Sequence, residues 1–156
     1  MDLFEKYYAF SLKYLSYRPR SEKEIRDHLR RKKSPPEVIE HVIVKLNDQK
    51  FLDDESFARM WVESRNRSKP RSQRLLRMEL RQKGIAAETI DRLATDNSRE
   101  TTDLELAKKI VAKKLPKMRS LEKQALYRKL GGVLARRGFD WETIKQAIDE
   151  ALGERV

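Results

Sequence analysis

Apolar side chains fall three and four positions apart along almost the whole of this chain and never alternate for long enough to make a strand. In the first fifty residues Phe4, Tyr8, Leu12 and Leu15 share one helical face, Ile25 and Leu29 a second, and Ile39, Val42, Ile43 and Leu46 a third. The breaks between these faces carry helix stop and start signals. Arg18-Pro19 ends the first, because proline has no N–H and its ring clashes with the preceding turn. Ser21-x-x-Glu24 reads as a capping box, in which each side chain satisfies a backbone N–H left over at a helix start. Ser34-x-x-Glu37, with Pro35 at the first helical position, reads as a second box. Starts this close together permit only short helices and a tight turn between them.

The pattern then returns twice. Tyr8-Ala9, Phe57-Ala58 and Leu106-Ala107 recur at a spacing of 49. Lys83-Gly84-Ile85-x-x-Glu88-Thr89-Ile90 comes back as Arg137-Gly138-Phe139-x-x-Glu142-Thr143-Ile144, of which the first repeat keeps Glu37-x-Ile39. In the second repeat Asp53 is the predicted cap of a helix with Phe57, Ala58, Trp61 and Val62. A helix with Leu76 and Leu80 follows, stopping at Gly84, and then one with Ile90 and Leu93. The third repeat runs through Leu104, Ala107, Ile110 and Val111 to Pro116, then from a Ser120 cap to Gly138 through Leu126, Leu130 and Leu134. Asp140 caps its last helix, with Ile144 and Ile148. The predicted fold is all-α, an elongated right-handed or curved array of three tandem three-helix, helix-turn-helix-like repeats over residues 1–50, 51–98 and 99–156. Bundles of about 50 residues are marginal alone, so each is expected to lean on its neighbour.

Charge says what such an array would meet. Lys and Arg number 36 against 25 Asp and Glu, a net charge of +11 that favours nucleic acid or a protein already carrying it. The absence of cysteine excludes disulfides, thiolate zinc sites and cysteine nucleophiles, and two histidines cannot build a multi-histidine metal site. No run of 18 apolar residues occurs, so the expectation is a soluble, cytoplasmic protein with no membrane partner. Residues 65–83 hold 8 basic groups and 1 acidic, and residues 108–137 hold 11 and 1. Within the first block Arg74, Arg77 and Arg81 sit at i, i+3 and i+7, one stripe of a helix, opposite Leu76 and Leu80. Lys23, Arg26 and Arg30 repeat that spacing 51 residues earlier, and both stripes are predicted to face solvent. These six, with Arg65, Arg67 and Arg71 and with Lys108, Lys109, Lys113, Lys114 and Lys117 of the second block, are the candidate binding residues for DNA phosphates or acidic side chains.

Signals for chemistry are weak beside this. Ser120-x-x-Lys123 matches a serine–lysine pattern that a chain so rich in lysine produces by chance, and a cap is the better use of Ser120. Asp53-Asp54-Glu55 sits where a helix dipole favours negative charge. Gly131-Gly132 lacks the spacing of a phosphate loop and reads as a packing point or a break in a helix. Trp61 falls in a core pattern and Trp141 beside a helix start. No catalytic residue, metal site or cofactor is predicted.

The run Phe51-Leu52-Asp53-Asp54-Glu55-Ser56-Phe57-Ala58-Arg59, continuing to Glu63-Ser64-Arg65 and followed by Glu79-Leu80-Arg81-Gln82-Lys83-Gly84-Ile85, closely resembles the RecX family of bacterial recombination regulators. Arg20-Ser21-x-x-Glu24-Ile25 with Leu29, and Leu134-Ala135-Arg136-Arg137-Gly138-Phe139, resemble that family's first and third repeats. The resemblance implies a protein without catalytic residues that binds the RecA recombinase filament on single-stranded DNA; the three units and their caps predict a monomer, and whether double-stranded DNA is also bound is left open. The resemblance also implies regulation, mainly inhibition, of RecA ATP hydrolysis and strand exchange in recombination and DNA repair. The alternative is a sequence-independent DNA-binding helical protein without filament-specific regulation. One departure stands out: the first repeat has Lys33 where the others have Gly84 and Gly138, which leaves its inter-helix turn open.

Overall fold

The computed structural model describes residues 2–96 and 102–153. Among them the chain forms three successive helix triplets and no strand: α1 Leu3–Tyr17, α2 Glu22–Arg31 and α3 Pro36–Asp48; α4 Asp54–Ser68, α5 Gln73–Gln82 and α6 Ala87–Asp96; α7 Asp103–Lys114, α8 Lys123–Arg136 and α9 Trp141–Ala151. A short 3-10 turn, Leu115–Met118, follows α7. The all-α expectation is met, while the predicted boundary at 98/99 lies outside the described residues. By its contacts the chain divides into two compact units, Met1–Trp61 with Glu79–Ala94 and Val62–Met78 with Thr95–Val156.

In the first unit, α1 packs on α2 and α3 around buried Ile25, Leu29, Ile39, Val42, Ile43 and Leu46. The Ser21 box forms as predicted: the Ser21 hydroxyl accepts from Glu24 N, and the Glu24 carboxylate accepts from Ser21 N at 3.1 Å. Asp53 likewise accepts from Ser56 N at 3.1 Å. The predicted face of α1 holds in part. Phe4, Tyr8 and Leu15 are half-buried against the core, with Tyr8 stacked on Phe4, but Leu12 is 37% exposed and Ala9 exposed, and the buried residues of the helix are Tyr7 and Ser11. Tyr7 can be buried because its hydroxyl donates to Lys32 O at 3.2 Å, and the Ser11 hydroxyl donates to Tyr7 O at 3.0 Å. A pattern that treats serine as outward-facing misses Ser11.

The second predicted box does not form. Pro35 is the cap, with ψ 145, Pro36 opens α3, and the Ser34 hydroxyl donates to Pro35 O at 3.1 Å. The reason is steric: a residue before proline is driven out of the helical region, so Pro35 cannot be the first helical residue when Pro36 follows it. The Lys33 turn, by contrast, matches its two counterparts. Lys33 has φ 65, against 82 at Gly84 and 88 at Gly138. Each turn closes with the same bond, from Ser34 N to Leu29 O, Ile85 N to Leu80 O and Phe139 N to Leu134 O, at 3.0, 3.0 and 3.1 Å. This is the left-handed helix stop that glycine favours, reached here by lysine, as it is again after α3 at Lys50, with φ 61.

In the second unit, α7, α8 and α9 enclose Ala107, Ile110, Val111, Leu126, Leu130, Leu134, Ile144 and Ile148. Thr102 caps α7, and Asp140 caps α9 as predicted, accepting from Thr143 N at 2.8 Å. Ser120 is not a cap. The 3-10 turn delays the helix until Glu122 takes the cap position, with no side-chain bond, and Ser120 lies in the turn before it. Gly131 and Gly132 lie inside α8 without breaking it.

Consecutive triplets are joined in the same way in each unit. In the first, Asp54 of α4 accepts from Glu22 N at the start of α2, at 3.0 Å. In the second, Asp103 of α7 accepts from Gln73 N at the start of α5, also at 3.0 Å. The glycine turns close the same joints. A Cβ on Gly84 would stand 2.5 Å from Lys23 Cβ, and one on Gly138 would stand 2.5 Å from Ser72 Oγ and 2.6 Å from Leu75 Cβ. Glycine is therefore required twice over at 84 and 138, for backbone angle and for clearance.

Candidate anion-binding groove

The stripe on α2 is largely spent on the protein's own carboxylates. Lys23 pairs with Asp27 at 3.2 Å, Arg30 pairs with Asp27 at 3.2 Å, and Arg26 pairs with Glu40 of α3 and, at 3.9 Å, with Glu22. The Glu40 hydrogen bond holds the Arg26 guanidinium above its usual pKa, and Arg26 in turn lowers that of Glu40. Lys23 and Arg30 face solvent as predicted, while Arg26 is half-buried. On α5, Arg74 and Arg81 are exposed and Arg77 is half-buried. Arg74 donates to Gly138 O at 3.3 Å. Of the remaining candidates, Arg65 is half-buried, Arg71 donates to Lys69 O at 3.2 Å, and Lys108 pairs with Glu150.

Arg67, Lys109, Lys113, Lys114 and Lys117 come together instead. They line a groove of about 530 Å3 in the second unit, with Asn66, Ser68, Pro70 and Gln73 on one side and Leu106, Ile110 and Met118 on the other. The α7 residues reach it because 106, 109, 110 and 113 fall on one side of the helix, and the 3-10 turn carries Lys117 and Met118 round to the same mouth. Arg137 completes it, a residue not singled out from the sequence because its place depends on the turn at Gly138. Burial, and then repulsion from Arg71, pull the Arg137 pKa down, as expected where cations crowd. No acidic residue lines the groove, and none of its four lysines is ion-paired among the described residues. Among the described residues these six cations have no counter-charge, which makes the groove the candidate site for an anion.

The acidic run and Trp61 have structural employment. Asp53 caps α4, Asp54 accepts from Glu22 N at the start of α2, and Glu55 pairs with Arg59 at 3.2 Å and Arg92 at 3.5 Å. Among the described residues no group of three His, Cys, Asp or Glu is placed to hold a metal ion. Trp61 is half-buried, stacked on Phe57 at 5.8 Å with the Lys83 ammonium 5.0 Å from its ring, while Trp141 is 61% exposed. Neither lines the groove.

Residues 8–46, 53–93 and 101–148 match, in that order, the first, second and third three-helix domains of RecX. The chain belongs to the RecX family. It is 38% identical over 149 residues to Regulatory protein RecX of Bacillus subtilis (strain 168), across 96% of this chain and 56% of that protein. It is 34% identical over 157 residues to Regulatory protein RecX of Streptomyces lividans, across 98% of this chain and 81% of that one. The chain thus spans little more than half the length of its Bacillus relative. A crystal structure of regulatory protein RecX superposes with a TM-score of 0.74 at 30% identity, over 95% of this chain and 74% of that one. RecX from Lactobacillus salivarius shares the fold, with a TM-score of 0.71 over 96% of each chain. The RecX relatives are named as regulatory proteins rather than as enzymes. No helix of the described residues is long and apolar enough to cross a membrane.

Proposed function

We propose that this RecX-family protein regulates RecA by binding its filament on single-stranded DNA, mainly lowering ATP hydrolysis and strand exchange. In this reading it acts as a cytoplasmic monomer without catalysis of its own, through three repeats divided at 50/51 and 98/99. Family membership supports RecA as the partner, and the observation that carries the mode of action is the basic groove of the second unit, whose lysines have no ion pair among the described residues. A filament offers both DNA phosphates and acidic side chains, and many weak contacts along it would stiffen protomers or obstruct subunit addition. Arg65, Arg71, Arg74, Arg77 and Arg81 are proposed as further contacts, with the α2 stripe of Lys23, Arg26 and Arg30 and with Lys108 subordinate because their charge is already paired.

The test is binding of the purified protein to three targets: RecA alone, single-stranded DNA alone, and RecA assembled on that DNA. Tighter binding to the assembly than to either component, with slowed RecA ATP hydrolysis, is the expected result. Equal binding to bare DNA and to the assembly, with RecA activity unchanged, would leave a sequence-independent DNA-binding protein instead.

A further inference from the structure

The groove is not a simple ladder of cations. Ile110 is buried and Leu106 and Met118 are half-buried, and these three line it together with the exposed Lys109, Lys113 and Lys117. A nucleic-acid strand would use the ammonium groups but would find no flat ring for its bases, since no Phe, Tyr or Trp is among the lining residues. An apolar lining beneath a positive rim is complementary to a chain that carries both carboxylates and an apolar side chain. Resting on the reading that the protein docks on a protein–DNA filament, we propose that the groove holds an acidic protein segment of its partner. An apolar side chain of that segment would seat against Leu106, Ile110 and Met118, and flanking carboxylates would reach Arg67, Lys109, Lys113 and Lys117. The cations give on-rate and orientation, and the apolar contact discriminates such a segment from any other polyanion.

Fluorescence anisotropy of three labelled probes tests this: a short Asp/Glu-rich peptide containing Leu-Phe, the same peptide with Ser-Ser in that place, and an oligo(dT) strand. The Leu-Phe peptide is expected to bind roughly tenfold or more tightly than the Ser-Ser peptide, the worth of burying a large apolar side chain. Met118→Ser is expected to erase that preference while leaving oligo(dT) binding unchanged. The triple variant Lys109→Glu, Lys113→Glu, Lys117→Glu is expected to lose both peptides, with circular dichroism confirming that its helices persist. Equal affinity for the two peptides, or a preference that survives Met118→Ser, overturns the proposal and makes the groove a general polyanion surface. Binding to RecA on single-stranded DNA is measured alongside. Filament binding without the Leu-Phe preference defeats this proposal alone, and the preference without filament binding defeats the proposed function alone.

Discussion

Lys33 holds a left-handed backbone that costs an L-residue free energy which Gly84 and Gly138 do not incur. Its side chain is exposed, so replacement loses no packing. Lys33→Gly is expected to stabilise the protein by about 0.5–1 kcal/mol, the steric relief being partly offset by a more flexible unfolded chain. It should appear as a raised urea midpoint with an unchanged slope. Gly138→Ala goes the other way, because strain and collision with Ser72 and Leu75 add, and a loss of about 2 kcal/mol or more is expected by the same measurement. Glu24 supplies a pH signature. Burial alone would raise its pKa, but the Ser21 N–H outweighs this, together with Arg18 and with Lys83 at 3.2 Å, and the group titrates below the usual range. A carboxylate lowered on folding stabilises fully above its unfolded pKa of about 4.3, and that contribution is lost as pH falls through the folded value. Glu24→Gln is expected to flatten that acid limb of a stability-against-pH curve and to leave its neutral-to-alkaline shape unaltered.

Helix starts show which elements are legible from sequence and why others are not. Ser21, Asp53 and Asp140 act through bonds within one turn, so the local sequence suffices to find them. Ser34 and Ser120 carry the same local signal and fail, the one through paired prolines and the other through the 3-10 turn ahead of α8. Ser21→Ala is therefore expected to cost about 1–2 kcal/mol and Ser34→Ala about half or less of that, read by urea denaturation of the two variants side by side. On α1 the burial of Tyr7 was illegible for a different reason: its hydroxyl is satisfied by Lys32 O, 25 residues on, which no helical period contains. The pairing of the α2 stripe was illegible in the same manner. Residues at i, i+3 and i+7 show where cations align on one helix, but the carboxylate of Glu40 that meets Arg26 comes from another.

At the scale of the whole molecule, a net charge of +11 matters less than where it is left uncompensated. The two basic blocks were visible in the sequence, yet only folding gathers Arg67 and Arg137 around Lys109, Lys113 and Lys117 while giving Lys108 to Glu150. Reversal of Lys109, Lys113 and Lys117 to Glu is expected to weaken filament binding by at least about tenfold, the worth of a few charge-assisted contacts. The same reversal of Lys23, Arg26 and Arg30 is expected to weaken it less, and co-sedimentation with RecA on single-stranded DNA would rank the two. The joints between triplets bear on how the molecule comes into being. Glu22 N is satisfied by Asp54 and Gln73 N by Asp103, partners 32 and 30 residues downstream. On a ribosome adding about 5–20 residues per second, α2 and α5 would each wait about 2–6 s for that carboxylate. The same joint has a second closure much farther on, because Ser72 N donates to Arg137 O and Arg74 to Gly138 O, the latter 64 residues downstream, so the start of α5 stays unfinished in the nascent chain until the turn between α8 and α9 has been made.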